Sequence, residues 1–252
     1  MSSTAEHSPY RNKPANAPEG KSQHGRIVRE LGLRILAGEL APGDRLPAEA
    51  ELIVKYEVSR PVLREAVRVL VAKGLVMSRQ RAGAIVRPRS EWHLLDPDVL
   101  YWMIQTRPAP EFVQMLMGMR RVFEPGAAAL AARAASDAQL AGIAQAYEAM
   151  AAAPDVDAML EPDLAFHRRI AEATGNDLMA YIGTMLSLAL RESIKLSSRL
   201  PNTHELSLPR HKAILTALLA RDSAAAHQAT VLQLDATQLD LSAVISTGVD
   251  LH

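Results

Sequence analysis

Asp163 and His167 stand four residues apart in "DLAFHRR", and on a helix that spacing turns both side chains the same way. A carboxylate and an imidazole so placed can chelate a divalent cation, or can simply pair with each other along the helix. A different chemistry is written in "VSRPVLREAVRVLVAKGLV", residues 58–76. There Arg60, Arg64 and Arg68 repeat at four-residue spacing on an apolar helical pattern. Guanidinium groups in such a row can read guanine edges and phosphates. The alternative is a solvated basic stripe paired with Glu65 or with acids of a neighbouring helix. A third pair, Arg120 and Glu124, has the same spacing. These two side chains either bind each other or leave Arg120 free to hold a carboxylated ligand.

The elements that must position these groups follow from periodicity. "HGRIVRELGLRILAGEL" carries Ile27, Val28, Leu31, Ile35 and Leu36 at helical spacing and stops at Gly38. "APGDRLP" reads as a turn. Pro47 suits the first turn of a second helix, and early Glu49 and Glu51 favour its positive end. Ser59 is a suitable N-cap for a third helix from about Arg60 to Lys73, with Leu63, Ala66, Val67 and Leu70 as its core face. Two short strands, Leu75–Arg79 and Ala84–Arg87, surround a tip at Ala82-Gly83. Three helices and a hairpin are the order of a winged helix-turn-helix, whose third helix enters the major groove of DNA.

The rest reads as helix. Candidate helices are 109–135 (with a kink at Pro125), 137–152, 155–174, 177–198, 205–220 and 222–246. The fold expected is therefore mainly α: an N-terminal winged helix-turn-helix joined to an all-α helical-bundle ligand-binding domain. The domain division expected is a disordered tail at 1–23, a DNA-binding domain at 24–90, a junction at 91–108 and the bundle at 109–246.

Composition sets the bounds. Of 252 residues, 48% are hydrophobic and only 4% aromatic, a palette dominated by helix formers. The absence of cysteine removes disulfides and thiolate metal sites. No apolar run is long enough for a membrane span, and the polar, Pro-rich N-terminus lacks the apolar core of a signal peptide. A cytoplasmic setting is expected. The chain has 28 basic and 28 acidic residues, so neutrality overall conceals a basic segment. Residues 60–89 hold Arg60, Arg64, Arg68, Lys73, Arg79, Arg81, Arg87 and Arg89 against the single acid Glu65.

The stretch "GELAPGDRLPAEAELIVKYEVSRPVLREAVRVLVAKGLV" resembles the DNA-binding domain of the GntR family of bacterial transcription regulators. "RRVFEPGAAALAARAA", "DLAFHRRIAEATGN" and "RHKAILTALLARDSAAA" resemble the FadR-type ligand-binding (FCD) domain. Together the likeness spans roughly residues 24–240. "RSEWHLLDPDVLYWMIQ" is similar to the junction of the family's sugar-acid regulators. The resemblance implies that Ser59, Arg60 and Arg64 meet phosphates and bases, with Arg68 in support. Arg79 and Arg81 flank the wing, and Gly83 is its closely approaching glycine. Ala50 stands where the family often has arginine, so base preference should differ. In the second domain the resemblance makes His211 a third metal ligand beside Asp163 and His167. The family's further histidine, 22 residues on, is Gln233 here. His227 is directed about 120° away from Gln233 and is a poor substitute. Arg120 and Arg191 fall at inward-facing polar positions. Asn176 in "TGN" suits a helix cap better than a ligand contact.

The function implied is a ligand-responsive repressor, a homodimer on palindromic double-stranded operator DNA, released by a small carboxylated effector such as an aldonate of the galactonate type. Asp163, His167, Arg120, Arg191, His211 and Gln233 are its expected effector-binding residues; because Gln233 is a neutral and poorer ligand for zinc than histidine, either Asp163, His167, His211 and Gln233 hold zinc or a similar divalent metal more weakly, or the pocket binds its effector without metal. Two other classes compete. A metal-dependent enzyme would use Asp163, His167 and His211 around an activated water, but no general base is evident and the basic hairpin is left unexplained. An effector-free architectural DNA-binding protein would leave the polar constellation of the second domain without a purpose.

Overall fold

The computed structural model describes residues 22–79, 83–107, 109–197 and 203–246. Its internal contacts divide the chain into two units, one ending at His93 and the other beginning at Leu94. The expected tail at 1–23 lies outside the described residues except for its last two. These already belong to a helix start: the Ser22 hydroxyl accepts from the Gly25 N–H at 3.2 Å, closing the first turn as an N-cap.

In the first unit, α1 (Gln23–Leu36), α2 (Glu49–Tyr56) and α3 (Arg60–Ala72) precede an antiparallel pair, β1 (Val76–Arg79) and β2 (Gly83–Val86). α1 buries Ile27, Val28, Leu31 and Ile35, and packs on α3. α3 answers with Leu63, Ala66 and Leu70. Each such side chain contributes roughly 1.5–3 kcal/mol on leaving water. Val67, expected in this core, is only half-buried. The hairpin pairs Val76 with Val86 and Arg79 with Gly83. The predicted tip, with Arg81 and Ala82, lies outside the described residues.

Three local features differ from expectation. "APGDRLP" is more than a turn: the Leu46 N–H donates to Ala84 O, the Val86 N–H donates to Asp44 O, and Arg45 bridges to Ile85. The segment therefore lies along β2 as a third edge. Pro47 does not open α2, which begins at Glu49 behind an extended Ala48 with no capping side chain. α2 ends at Glu57 with φ 53, a left-handed conformation costly for a residue with a Cβ, and the chain turns there into α3. After α3, Gly74 has φ +72, and a Cβ on it would come within 2.6 Å of Glu91 O and 2.9 Å of the His93 ring.

The second unit is all α: α4 (Pro97–Thr106), α5 (Ala109–Ala134), α6 (Asp137–Ala151), α7 (Val156–Glu172), α8 (Asp177–Ser197), α9 (Thr203–Leu219) and α10 (Ser223–Ser246). Within the expected junction at 91–108, α4 is a packed helix. Asp96 Oδ1 accepts from the N–H groups of Asp98 and Val99, and Pro97 occupies the first turn, where its missing N–H costs nothing. Val99, Trp102, Met103 and Ile104 are buried. Trp92, by contrast, belongs to the first unit, where its indole N–H donates to Arg87 O at 3.0 Å.

α5 continues through Pro125. Its alanine-rich end, Ala127, Ala128, Ala131 and Ala132, is buried with Ile143, Met150, Phe166, Ile170, Ile214 and Leu218. Small side chains here let the helices approach closely, so the alanine clusters are core. Ser136 and Gln139 form a capping box at the start of α6. Among the described residues no helix is long and apolar enough to cross a membrane.

Candidate functional site

The first candidate surface is the outer face of α3. Ser59, Arg60, Arg64 and Arg68 are all exposed. Ser59 holds the N-cap backbone conformation, yet its side chain makes no capping bond, so its hydroxyl remains able to donate to a phosphate. Arg64 Nε lies 3.5 Å from Glu49 of α2, and Arg68 NH1 lies 3.3 Å from Glu65. Arg60 has no carboxylate at ion-pair distance among the described residues. Arg79 ends β1 opposite Gly83, which begins β2 with φ +79 and open space around it. The row is thus displayed on one face and fixed from behind by Leu63, Ala66 and Leu70.

The second candidate site lies inside the bundle, where four helices bring their polar residues together. α7 contributes Asp163 and His167, α9 contributes His211, α5 contributes Arg120 and Glu124, and α10 contributes Gln233. Asp163, His211, Gln233, Arg120 and Glu124 are all buried. His211 Nε2 is 2.9 Å from Asp163 Oδ1, and His167 Nε2 is 3.6 Å from the same oxygen. The two Nε2 atoms are 3.3 Å apart, and Gln233 Nε2 is 3.2 Å from His211 Nε2.

The tautomer of His211 follows from its neighbours. Its Nδ1 is 3.0 Å from Ser207 O, which can only accept, so Nδ1 carries the proton and donates. Its Nε2 faces Asp163 Oδ1 at ion-pair distance. Gln233 Oε1, in the same cluster, is buried without a hydrogen-bond partner. In this dry interior the charged His167 and Arg120 balance the two carboxylates, and a divalent cation could take the place of protons on the imidazoles. His167 is oriented in the same manner, with Nδ1 3.3 Å from Glu124 Oε2. A carboxylate behind an imidazole is the usual support of a metal-binding histidine. Asp163, His167 and His211 each offer one donor atom, all within 4.8 Å of one another, and this donor set fits a divalent cation.

Charge in the cluster is strongly coupled. Burial would raise the Glu124 carboxyl, but the Arg120 guanidinium and the His167 ring hold it at about 2. Burial also opposes charge on His167, but Glu124 and Asp163 lift it to about 9. Asp163 likewise pays for burial and is nonetheless held below the ordinary carboxylate range by His211 and His167. Arg120 is tied to Glu124 through Nε to Oε1 at 2.6 Å.

Around the cluster is a small cleft, lined among others by Arg120, Asp163, His167, His211 and Gln233. Ser193, Ser207, Thr237, Arg210 and Asp240 share its wall; Arg210 donates to Asp240 Oδ2 at 2.6 Å. Those five were not singled out from the sequence. Ser207 and Arg210 carried a usable signal: one is four residues before His211 and the other is next to it. Arg191 is not among the lining residues and pairs instead with Glu161 at 2.5 Å. Asn176 is a helix cap, its Oδ1 accepting from the N–H groups of Leu178 and Met179. His227 is exposed.

Comparison with known proteins gives concordant matches. Residues 23–86 match the gntR family of bacterial regulatory proteins, and residues 115–236 match the FCD domain. The galactonate operon transcriptional repressor of Escherichia coli (strain K12) is 34% identical over 212 residues, covering 82% of this chain and 91% of that protein. The HTH-type transcriptional regulator LutR of Bacillus subtilis (strain 168) is 30% identical over 220 residues, covering 84% and 98%. Among solved structures, Lar, which controls the expression of the Listeria monocytogenes agr system, aligns with a TM-score of 0.60 at 20% identity. That alignment covers 86% of this chain and 95% of Lar, and it speaks to the fold alone.

Proposed function

Because the chain belongs to the GntR family of bacterial regulators and carries an FCD domain behind its DNA-binding unit, we propose that it represses a sugar-acid catabolic operon and leaves its palindromic operator when a small aldonate binds. The observation that carries the proposal is the pairing, in one chain, of an exposed arginine row on α3 with a buried polar cleft in the bundle. We take the acting form to be a cytoplasmic homodimer, whose two α3 helices reach two half-sites related by a two-fold axis.

On the DNA side, Ser59 and Arg60 meet the duplex first, and Arg64 reads a base edge after leaving Glu49. Arg68 supports from the next turn. Arg79, Arg81 and Gly83 bring the wing to the backbone or the adjacent minor groove.

On the effector side, hydroxyls of an aldonate suit Ser193, Ser207 and Thr237, and its carboxylate suits the cationic wall at Arg120 and Arg210. Zinc or a similar divalent cation held by Asp163, His167 and His211 would add direct coordination of effector oxygens. We read the cluster as a receptor rather than a catalytic centre. Glu124, the nearest second carboxylate, is locked to Arg120 and His167 and held at about 2, far from the range of a general base at neutral pH. Signal transfer has a candidate path. α7 carries Asp163 and His167, α8 packs on α7, and α4, which opens the second unit, packs on α8. An effector that shifts α7 would bias the position of α4, which is a population shift between two packings.

The test is a gel-shift titration of the purified protein on its operator with added aldonates. Release at an effector concentration that also raises the melting temperature supports the proposal. Turnover of any added aldonate, or release by none while DNA binding persists, overturns it.

A further inference from the structure

Gln233 of α10 reaches the Asp163–His167–His211 cluster, and its surroundings suggest a use. The side chain is 4% exposed. Its amide nitrogen faces His211 Nε2 at 3.2 Å, while its oxygen is buried without a hydrogen-bond partner. An amide is nearly symmetric in shape, and a half-turn about its last bond exchanges the two atoms. In one orientation the nitrogen donates to the His211 lone pair. In the other the oxygen stands in that place, at the edge of the Asp163, His167 and His211 cluster.

We propose that Gln233 is the fourth donor of the cluster, turning its side-chain oxygen toward a divalent cation held by Asp163, His167 and His211 and narrowing the preference for zinc over manganese. The separations support this. Donor atoms about 2.1 Å from a shared cation stand roughly 3–3.4 Å apart; the Asp163, His167 and His211 pairs are 2.9, 3.3 and 3.6 Å apart, and the amide position that the turned oxygen would take is 3.2 Å from His211 Nε2. The donor set becomes two imidazole nitrogens, one carboxylate oxygen and one amide oxygen. Imidazole favours zinc, copper and nickel, whereas carboxylate and carbonyl oxygens suit manganese, magnesium and calcium. Exchanging one imidazole for an amide oxygen moves the site toward the harder ions, and the two remaining histidines keep it a transition-metal site. When the cation leaves, the amide can turn back to the orientation with its nitrogen 3.2 Å from His211 Nε2. One side chain thereby satisfies both states.

The inference rests on the metal-assisted form of the reading above, and its test needs neither operator nor effector. Full-length protein is stripped with a chelator. Manganese binding is then followed by loss of the free-ion electron paramagnetic resonance signal, and zinc binding by competition with a chromophoric chelator. Gln233→His is expected to raise the zinc-to-manganese affinity ratio by about 10–100-fold. Gln233→Leu is expected to weaken manganese by at least about tenfold with the helical circular dichroism retained. Gln233→Glu, which keeps an oxygen at the same reach, binds manganese at least as tightly as the wild type and serves if the leucine variant does not fold. An unchanged ratio in Gln233→His, undiminished manganese binding in Gln233→Leu, or binding of neither ion by the wild type overturns the inference. Operator release by an aldonate without metal would leave the regulatory function standing while removing the cation.

Discussion

Glu124 stands behind His167 as its brace: Oε2 lies 3.3 Å from His167 Nδ1, while Oε1 takes Arg120 Nε at 2.6 Å. One carboxylate thus fixes the ring that faces Asp163 and neutralises the cation buried beside it. Glu124→Gln should therefore cost more than a lost hydrogen bond, because it leaves the Arg120 charge buried without compensation. Removing one partner of such a pair typically costs roughly 3–5 kcal/mol. Urea denaturation measures this, and the double variant Arg120→Met/Glu124→Gln should recover much of the loss. A cost under about 1 kcal/mol for the single variant would mean that the pair is far better solvated than its burial implies.

The same cluster sets a pH profile for the chelator-treated protein. His167 is raised to about 9 in the folded state, so its contribution is complete below the unfolded value near 6.5 and is lost as pH climbs through 9. Glu124 is lowered to about 2, so its contribution is complete above roughly 4.5 and is lost as pH falls toward 2. Melting temperature should hold a plateau from about pH 5 to 6.5 and decline on both sides. His167→Gln should flatten the alkaline limb. Equal alkaline slopes in the two proteins would contradict this assignment.

On α3, Arg60 is the arginine without a competing carboxylate among the described residues, and Arg68 is the one farthest along the helix from the Ser59 cap. Arg60→Ala should abolish detectable operator binding in a gel shift. Arg64→Ala should weaken it by roughly 10–100-fold and relax the base preference at one position. Arg68→Ala should lose only a few-fold and mainly reduce the salt dependence. Circular dichroism should be unchanged in all three, since the side chains are exposed. Retained nanomolar binding by Arg60→Ala contradicts the arrangement.

Gly74 and Gly38 separate backbone strain from crowding. Both have positive φ, +72 and +83, but a Cβ at Gly38 meets nothing within 4 Å, whereas one at Gly74 would strike Glu91 O. Gly38→Ala should cost about 1–2 kcal/mol from the left-handed conformation alone. Gly74→Ala should cost distinctly more, because the segment carrying Glu91 and His93 must also move. Denaturant titration of the pair gives the difference directly, and equal costs would show that this segment yields freely.

Long amphipathic segments were legible in the sequence because caps and breakers bound them. The six predicted bundle helices match α5 to α10 within a few residues at each end. α4 was hidden because a run with two tryptophans and several prolines looked like a break, although Asp96-Pro97 is itself a helix start. Asp163 and His167 could be paired by spacing, since one helix carries both. His211 and Gln233 could not, because they lie on other helices and only packing, or likeness to a family, brings them near. The brace from Glu124 and the Ser207 carbonyl behind His211 are relations between neighbouring turns that a sequence does not order by importance. Arg191 shows the converse: polar residues on an inward-looking stripe can be taken up by a local partner, here Glu161.

The ion pairs Arg64–Glu49 and Arg68–Glu65 bear on how the protein searches a genome. A phosphate arriving at either arginine must displace a carboxylate already tethered on the same surface. Exposed pairs of this kind are worth roughly 0.2–1 kcal/mol each, which trims the dwell time on arbitrary DNA without barring contact. At an operator, base edges and phosphates together outweigh the internal acids, and the complex persists. Glu49 and Glu65 would then govern the speed of scanning, and neutralising them should make the protein a slower searcher that lingers on the wrong sequence.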